Sequence, residues 1–528
     1  MNRAWVLSLL VAGAVVQAGF CASNRASRTI DRLVFSKLDE LGIPPSELCA
    51  DEVFLRRVYL DMTGTLPTPQ ECQDFFSFPG TNRRGKLIEE LFARGEFADY
   101  WAMKWCDLLR VKAEFPSNLW PNAVQAYHRW LRTAIFNNMP YDEFARALLT
   151  SSGSNFRVAP VNFYRAVPRH EGDSIAQVVA LTFMGMRTDG WDRERLMGMA
   201  TFFGSVGYKK TAEWKEEIVF FDPSKRFVDP ETQQPVVARF PDGTEPRLQP
   251  GQDPREAFAD WLVESDAFSQ SIVNRIWYWL LGRGIVHEPD DFCADNPPQN
   301  AALLDFLAKE LVRSGYDLRH IYRIILNSKT YQLSSIHNEG NREDEVNFSH
   351  YLVRRMDAEV LIDAINQITH TTETYSSAIP EPFTWIPENQ RAVELADGSI
   401  TSPFLDLFGR PPRDSGYESE RNNTPSTSQR LHMLNSTHIQ KKIMAAPQLL
   451  GMYYKKADLG KKKKAKPVWR APEKAVEHMY LTVLSRYPTE HEAEVVLAYV
   501  RNSGLSRRDA SGDVAWALLN TKEFVYKH

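Results

Sequence analysis

The chain has 528 residues, too many for a single hydrophobic core, so it is expected to fold as two domains or more. Its 63 Lys and Arg against 67 Asp and Glu leave a formal net charge of −4, which removes any electrostatic ground for a nucleic-acid partner. Hydrophobic residues at 43% and charged residues at 25% are the composition of a globular protein.

The first residues, "MNRAWVLSLLVAGAVVQAGFCAS", have the layout of a secretory leader. Arg3 supplies the positive start, Trp5–Val16 the apolar run, and Ala18 and Ala22 two small-residue cleavage points. Export to the periplasm or beyond is expected. A lipoprotein at Cys21 is the lesser expectation, because Phe20 is bulky where such signals need a small residue. No later apolar stretch is long enough for a transmembrane helix. The other cysteines are Cys49, Cys72, Cys106 and Cys293, and no two of the five lie within four residues. That spacing excludes zinc ribbons, thioredoxin-type motifs and the C-x-x-C-H haem attachment. Cys49, Cys72 and Cys106 leave two readings open: one disulfide among them, or buried free thiols.

The leader-free N-terminal half reads as helices. "TIDRLVFSKLDELGI" puts Ile30, Leu33, Val34, Leu38 and Leu41 on one face, and Gly42 ends it. "DEVFLRRVYLDMTG" repeats the pattern up to Gly64. "TPQE" then opens the next helix with Thr68 as cap, Pro69 at the first position and Glu71 at the third, a capping box. Asp61 is expected to pair with Arg56 or Arg57. From Glu217 to Gln249, "EIVFF" and "PVVARF" suggest a small β insert. Helices restart at "DPREAFADWLV". Lys455–Lys466 carries seven lysines and one Asp and reads as a solvated loop. The spacing Tyr59-Leu60, Pro67-Thr68, Glu71 returns as Tyr480-Leu481, Pro488-Thr489, Glu492, which fits a common helical-hairpin solution. The fold class is therefore mainly α: a helical domain over 28–215, a β insert over 216–252, and a second helical domain over 253–528.

"LRRVYLDMTGTLPTPQE" (Leu55–Glu71) and "WCDLLR" (Trp105–Arg110) resemble the planctomycete cytochrome-type domain, domain of unknown function 1549. "VNRIWYWLLGRGIVHEPDDF" (Val273–Phe292), "RRMDAE" (Arg354–Glu359) and "FGRPPRDSGYESERNNTPSTSQRLHMLNS" (Phe408–Ser436) resemble its companion secreted domain, domain of unknown function 1553. The resemblance implies export, with relatives encoded among sulfatases and other polymer-degrading enzymes, and attaches no reaction. Many relatives carry C-x-x-C-H. Here the corresponding segment, Phe183–Gly204, has no cysteine, so covalent c-type haem is not expected, and neither is any other cofactor.

Two clusters are candidate sites. In the loop before the last helices, Arg410, Arg413, Asp414, Arg421 and Gln429 are expected to bind a carboxylate or sulfate, with Glu418 or Glu420 as candidate general base. The competing reading is that these charges pair internally to pin an irregular loop. The loop ends at a capped helix start, which favours anions. The second cluster is Asn274, Arg275 and Trp277 on one helix, with Asp290 and Asp291 after the turn; it lacks a calcium-loop pattern, so no metal is expected. Arg410, Arg413, Glu418, Glu420 and Arg421 are expected to converge on one concave patch beside that helix. Three functions are consistent with this: a protein that binds or helps process anionic, sulfated polysaccharide; a hydrolase using the Arg/Glu loop; or a scaffold for other exported proteins. Purified protein is expected to show no Soret band in the protein pellet after acid-acetone extraction, and a band that survives extraction would contradict the absence of attached haem.

Overall fold

The computed structural model describes residues 23–453 and 468–528. The segment expected to be a leader and the lysine block at 455–466 lie outside the described residues. The protein is mainly helical, with sheets of only two or three strands. Among the described residues no helix is long and apolar enough to cross a membrane.

Two compact units form, and they do not follow chain order. The first contains residues 23–49, 105–352 and 413–418; the second contains 50–104, 353–412 and 419 onward. The boundary therefore does not coincide with the β insert. Segments distant in sequence build each core, and the candidate loop itself is divided between the two units.

The first unit is organised by the Asp266–Leu281 helix. Ser265 caps it by accepting from the Phe268 N–H at 3.3 Å, and Gly282, at φ 86°, ends it. Its apolar residues run all the way round: Phe268, Ile272, Val273, Ile276, Trp277 and Leu280 are fully buried. Such a helix is central, not amphipathic. It packs on the Ala301–Arg313 helix and on the π-helical turn Ala180–Met184. Tyr141 stacks on Phe268 at 4.5 Å, continuing an aromatic layer through Phe144 and Trp105.

The expected β insert is formed in part. Glu217–Phe221 is the centre of a three-stranded antiparallel sheet, between Gly153–Ser154 and Val206–Lys210. The register pairs Tyr208 with Val219. "PVVARF" forms no strand. Phe240 leaves the ladder to stack on Trp261 at 5.2 Å and Phe202 at 4.9 Å, so packing outweighs strand propensity. The partner strand "VGYKK" has no apolar alternation and left no readable signal.

The second unit contains two helical hairpins with the same construction, Asp51–Thr63 with Pro69–Ser77 and Pro472–Val483 with Glu490–Asn502. Both turns use capping boxes. Glu71 and Glu492 each accept from the backbone N–H of their cap threonine, at 2.7 and 2.8 Å. Both first helices are followed by a left-handed residue, Gly64 at φ 59° and Ser485 at φ 61°. Glycine is required at 64, where a Cβ would stand 2.7 Å from the Tyr100 ring. Each box is closed by a guanidinium lying over a tyrosine: Arg94 over Tyr59 and bonded to Glu71, Arg486 over Tyr480 and bonded to Glu492. Arg94 follows a different helix, whereas Arg486 belongs to the turn itself, so one local solution is completed from unrelated chain positions.

Arg486 hydrogen bonds, with the Thr489 cap, hold the Glu492 carboxyl down to about 2. A carboxyl depressed on folding adds stability above its unfolded pKa, roughly 4.3, and loses it as pH falls through the folded value. Because the pair is partly exposed, Glu492→Gln is expected to cost about 1 kcal/mol or less at neutral pH. Urea titrations should show that difference shrinking below about pH 4 and vanishing near pH 2.

Candidate functional site

Four of the five residues of the second cluster are built into the first unit's core. Asn274 pairs with both backbone groups of Val286, donating to its carbonyl and accepting from its N–H at 2.9 Å each. That holds the Gly-Arg-Gly turn against the helix. Trp277 is buried edge-on to Phe348. Arg275, also buried, donates to the carbonyls of Thr182 and Leu181, which end the π-helical turn, and pairs with Asp290 at 2.7 Å. Carbonyls at a helix end lack internal partners, and the guanidinium supplies them. Asp291 is half-buried beyond this network.

The loop closes that network. The second oxygen of Asp290 accepts from the Glu418 N–H at 2.6 Å. Arg413 is buried, stands at φ 61°, and pairs with Asp107 at 2.8 Å. Asp414 pairs with Lys112 at 2.6 Å. These four loop and helix groups belong to the first unit.

Arg410 and Arg421 belong to the second unit, and both meet Glu359. Arg421 bonds the two Glu359 oxygens at 2.7 and 3.1 Å, while Arg410 also donates to the carbonyls of Ile400 and Asp397. Glu420 is part-exposed in the 3-10 turn Glu418–Glu420. The five loop residues are thus held as two sets with separate partners, and in each set the arginine forks face protein groups.

Asp357 and Glu359 were not singled out by sequence, although the hexapeptide "RRMDAE" places four charges directly ahead of an apolar helix. That density was the available signal. Asp357 accepts from Lys104 at 3.0 Å, Asn423 at 2.7 Å and the Tyr100 hydroxyl at 3.2 Å. Burial alone would raise its pKa, but Lys104, Arg421 and Lys527 hold it well below the carboxylate range. Asp61 accepts from Lys527 at 3.0 Å and Arg354 at 3.2 Å. Of the two arginines expected to serve Asp61, Arg56 donates to the carbonyls of Val483 and Phe524, and Arg57 donates through Nε to His528.

Arg355 differs from its neighbours. It is 3% exposed, yet it makes no ion pair and donates only to the carbonyls of Phe408, Asn422 and Asn423 and weakly to the Asn423 side chain. Its Nη1 has no hydrogen-bond partner. Burial lowers its pKa from the ordinary arginine value. Arg355 lines a cavity of about 340 Å³ together with Arg430, Lys522, Gln429, Asn520 and Thr521, and no Asp or Glu is in its wall. The cavity lies at the start of the Thr427–Asn435 helix, capped by Ser426 and Gln429. Of the sequence candidates, Gln429 alone lines it; Glu418 and Glu420 do not.

Residues 29–193 match the family PSCyt2, described as a protein of unknown function (DUF1549), and residues 254–500 match PSD1, described as a protein of unknown function (DUF1553). The chain belongs to this two-domain family. No curated protein and no solved structure matches it. The haem that the resemblance implies for many relatives does not fit the residues present. Segment Phe183–Gly204 buries Phe183, Met184, Met199 and Phe202 in the core and offers no thiol. Cys49, Cys72 and Cys106 are buried and Cys293 is exposed, and burial pushes the Cys72 thiol up to about 12.

Removing one partner of a buried ion pair strands the other. Arg275→Met and Arg413→Ala are each expected to lower unfolding stability by about 3–5 kcal/mol in denaturant titrations, whereas half-buried Asp291→Asn should stay within about 1 kcal/mol.

Proposed function

We propose that this protein is an exported binder of anionic ligands, and that the cavity walled by Arg355, Arg430 and Lys522 is where the anion is held. The observation that carries this reading is Arg355, a buried guanidinium with no carboxylate partner and an unused donor, on a cavity without acidic residues. A buried charge without a counterion is costly, and the usual compensation is a paired anion. The positive end of the Thr427–Asn435 helix adds to the same preference. Sulfate or carboxylate groups of an external polysaccharide are the expected source, in keeping with the leader and the relatives' setting. The hydrolase alternative gains nothing from this cavity, whose wall holds no carboxylate to act as acid or base.

Titration calorimetry with inorganic sulfate and with a sulfated oligosaccharide tests the proposal. Arg430 and Lys522 are exposed, so Arg430→Ala and Lys522→Ala should leave folding intact and each weaken binding about fivefold to tenfold. Arg355→Met should abolish it. Failure of both ligands to bind wild type at millimolar concentration would refute the site.

A further inference from the structure

The cavity wall has two chemistries, and they are ordered along one helix. Gln429, Arg430, Met433 and Leu434 all line it. They stand at positions i, i+1, i+4 and i+5, so they share one face of the Thr427–Asn435 helix. The amide and guanidinium occupy the turn next to the positive helix end. The thioether and isobutyl groups lie one turn further on, about 5.4 Å along the axis. Val525 and Phe408 extend the apolar part, and Leu434 is 38% exposed, an apolar side chain left in contact with water. Phe408 also lies beneath the Arg355 guanidinium at 5.3 Å and stacks on Phe404 at 4.2 Å, so a flat aromatic pair backs the cation.

We infer that the anion taken by this cavity is joined directly to an apolar body, as in an aryl or alkyl sulfate or carboxylate, with the anion at Arg355 and Arg430 and the body against Met433 and Leu434. This rests on the anion-binding reading above but replaces the polysaccharide as the source of the anion with a smaller, less hydroxylated molecule. A bare inorganic anion would leave the apolar turn wet. A fully hydroxylated sugar ring would press hydroxyls against side chains that offer them no hydrogen bond, which costs binding free energy. An apolar body one helical turn from the anion satisfies both halves, and about 340 Å³ accommodates a ligand of that size.

The test is a calorimetric series on the full chain: inorganic sulfate, glucose 6-sulfate, 4-nitrophenyl sulfate and the uncharged 4-nitroanisole. We expect 4-nitrophenyl sulfate to bind at least about tenfold tighter than inorganic sulfate or glucose 6-sulfate, and 4-nitroanisole to bind much more weakly. Met433→Gln should remove most of that preference, and Leu434→Gln, at a position 38% exposed, should do the same at an unchanged melting temperature. Equal affinity for the three sulfates overturns this inference and leaves the anion site standing. Equal affinity for 4-nitrophenyl sulfate and 4-nitroanisole, or no binding of any sulfate, overturns the anion site itself. Full retention of the aryl preference in Met433→Gln removes the apolar body from the place assigned to it.

Discussion

Glu359 is completely buried in the first turn of the Ala358–Thr369 helix, where Arg410 and Arg421 reach it from a chain segment more than fifty residues later. Much of the second unit follows from that contact. Arg421 is drawn onto the same helix end as Asp357, Asn423 follows it, and the chain from Arg421 to Ser426 is held without a ladder or helix of its own. Desolvating a carboxylate costs several kcal/mol unless guanidinium or ammonium partners meet it with good geometry. The bidentate Arg421 contact provides such geometry.

The same requirement acts in the first unit through Arg275. One guanidinium terminates the π-helical turn, neutralises Asp290 and, through that carboxylate, takes up the N–H of Glu418. Both units therefore use buried charge to fix segments that cannot bury an apolar face. In the second unit the balance is uneven. Asp61, Asp357 and Glu359 are surrounded by Lys104, Arg354, Arg410, Arg421 and Lys527, with Arg355 beside them. A structural network of equal charges would leave no reason for an anion to bind. Here Arg355 makes no ion pair, and it lines the cavity together with Arg430 and Lys522.

Local features were legible in the sequence because they depend on residues a few positions apart. The Thr68 and Thr489 capping boxes and the Asp253 and Ser426 caps are of this kind. The strand at Glu217–Phe221 was visible through its β-branched and aromatic run, but its partner at Val206–Lys210 was not, since a strand that borrows its stability from a neighbour needs no pattern of its own. Of the site residues, Arg410, Arg413 and Arg421 stood out as charges in a run without period. Their partners Asp107 and Glu359 did not, because an acid inside a helical pattern looks the same whether it faces water or a guanidinium from elsewhere.

By itself, then, the chain's order of residues determined the helical class, the helix ends, the family and the absence of thiols from Phe183–Gly204. Those properties are set by short-range hydrogen bonding, by apolar period and by the residues present. Tertiary structure alone decided which segments share a core, how the charged loop is divided, and which buried arginine lines the cavity. Pairing across hundreds of residues depends on which groups burial brings within about 3–4 Å of each other, and that distance is written in no local pattern.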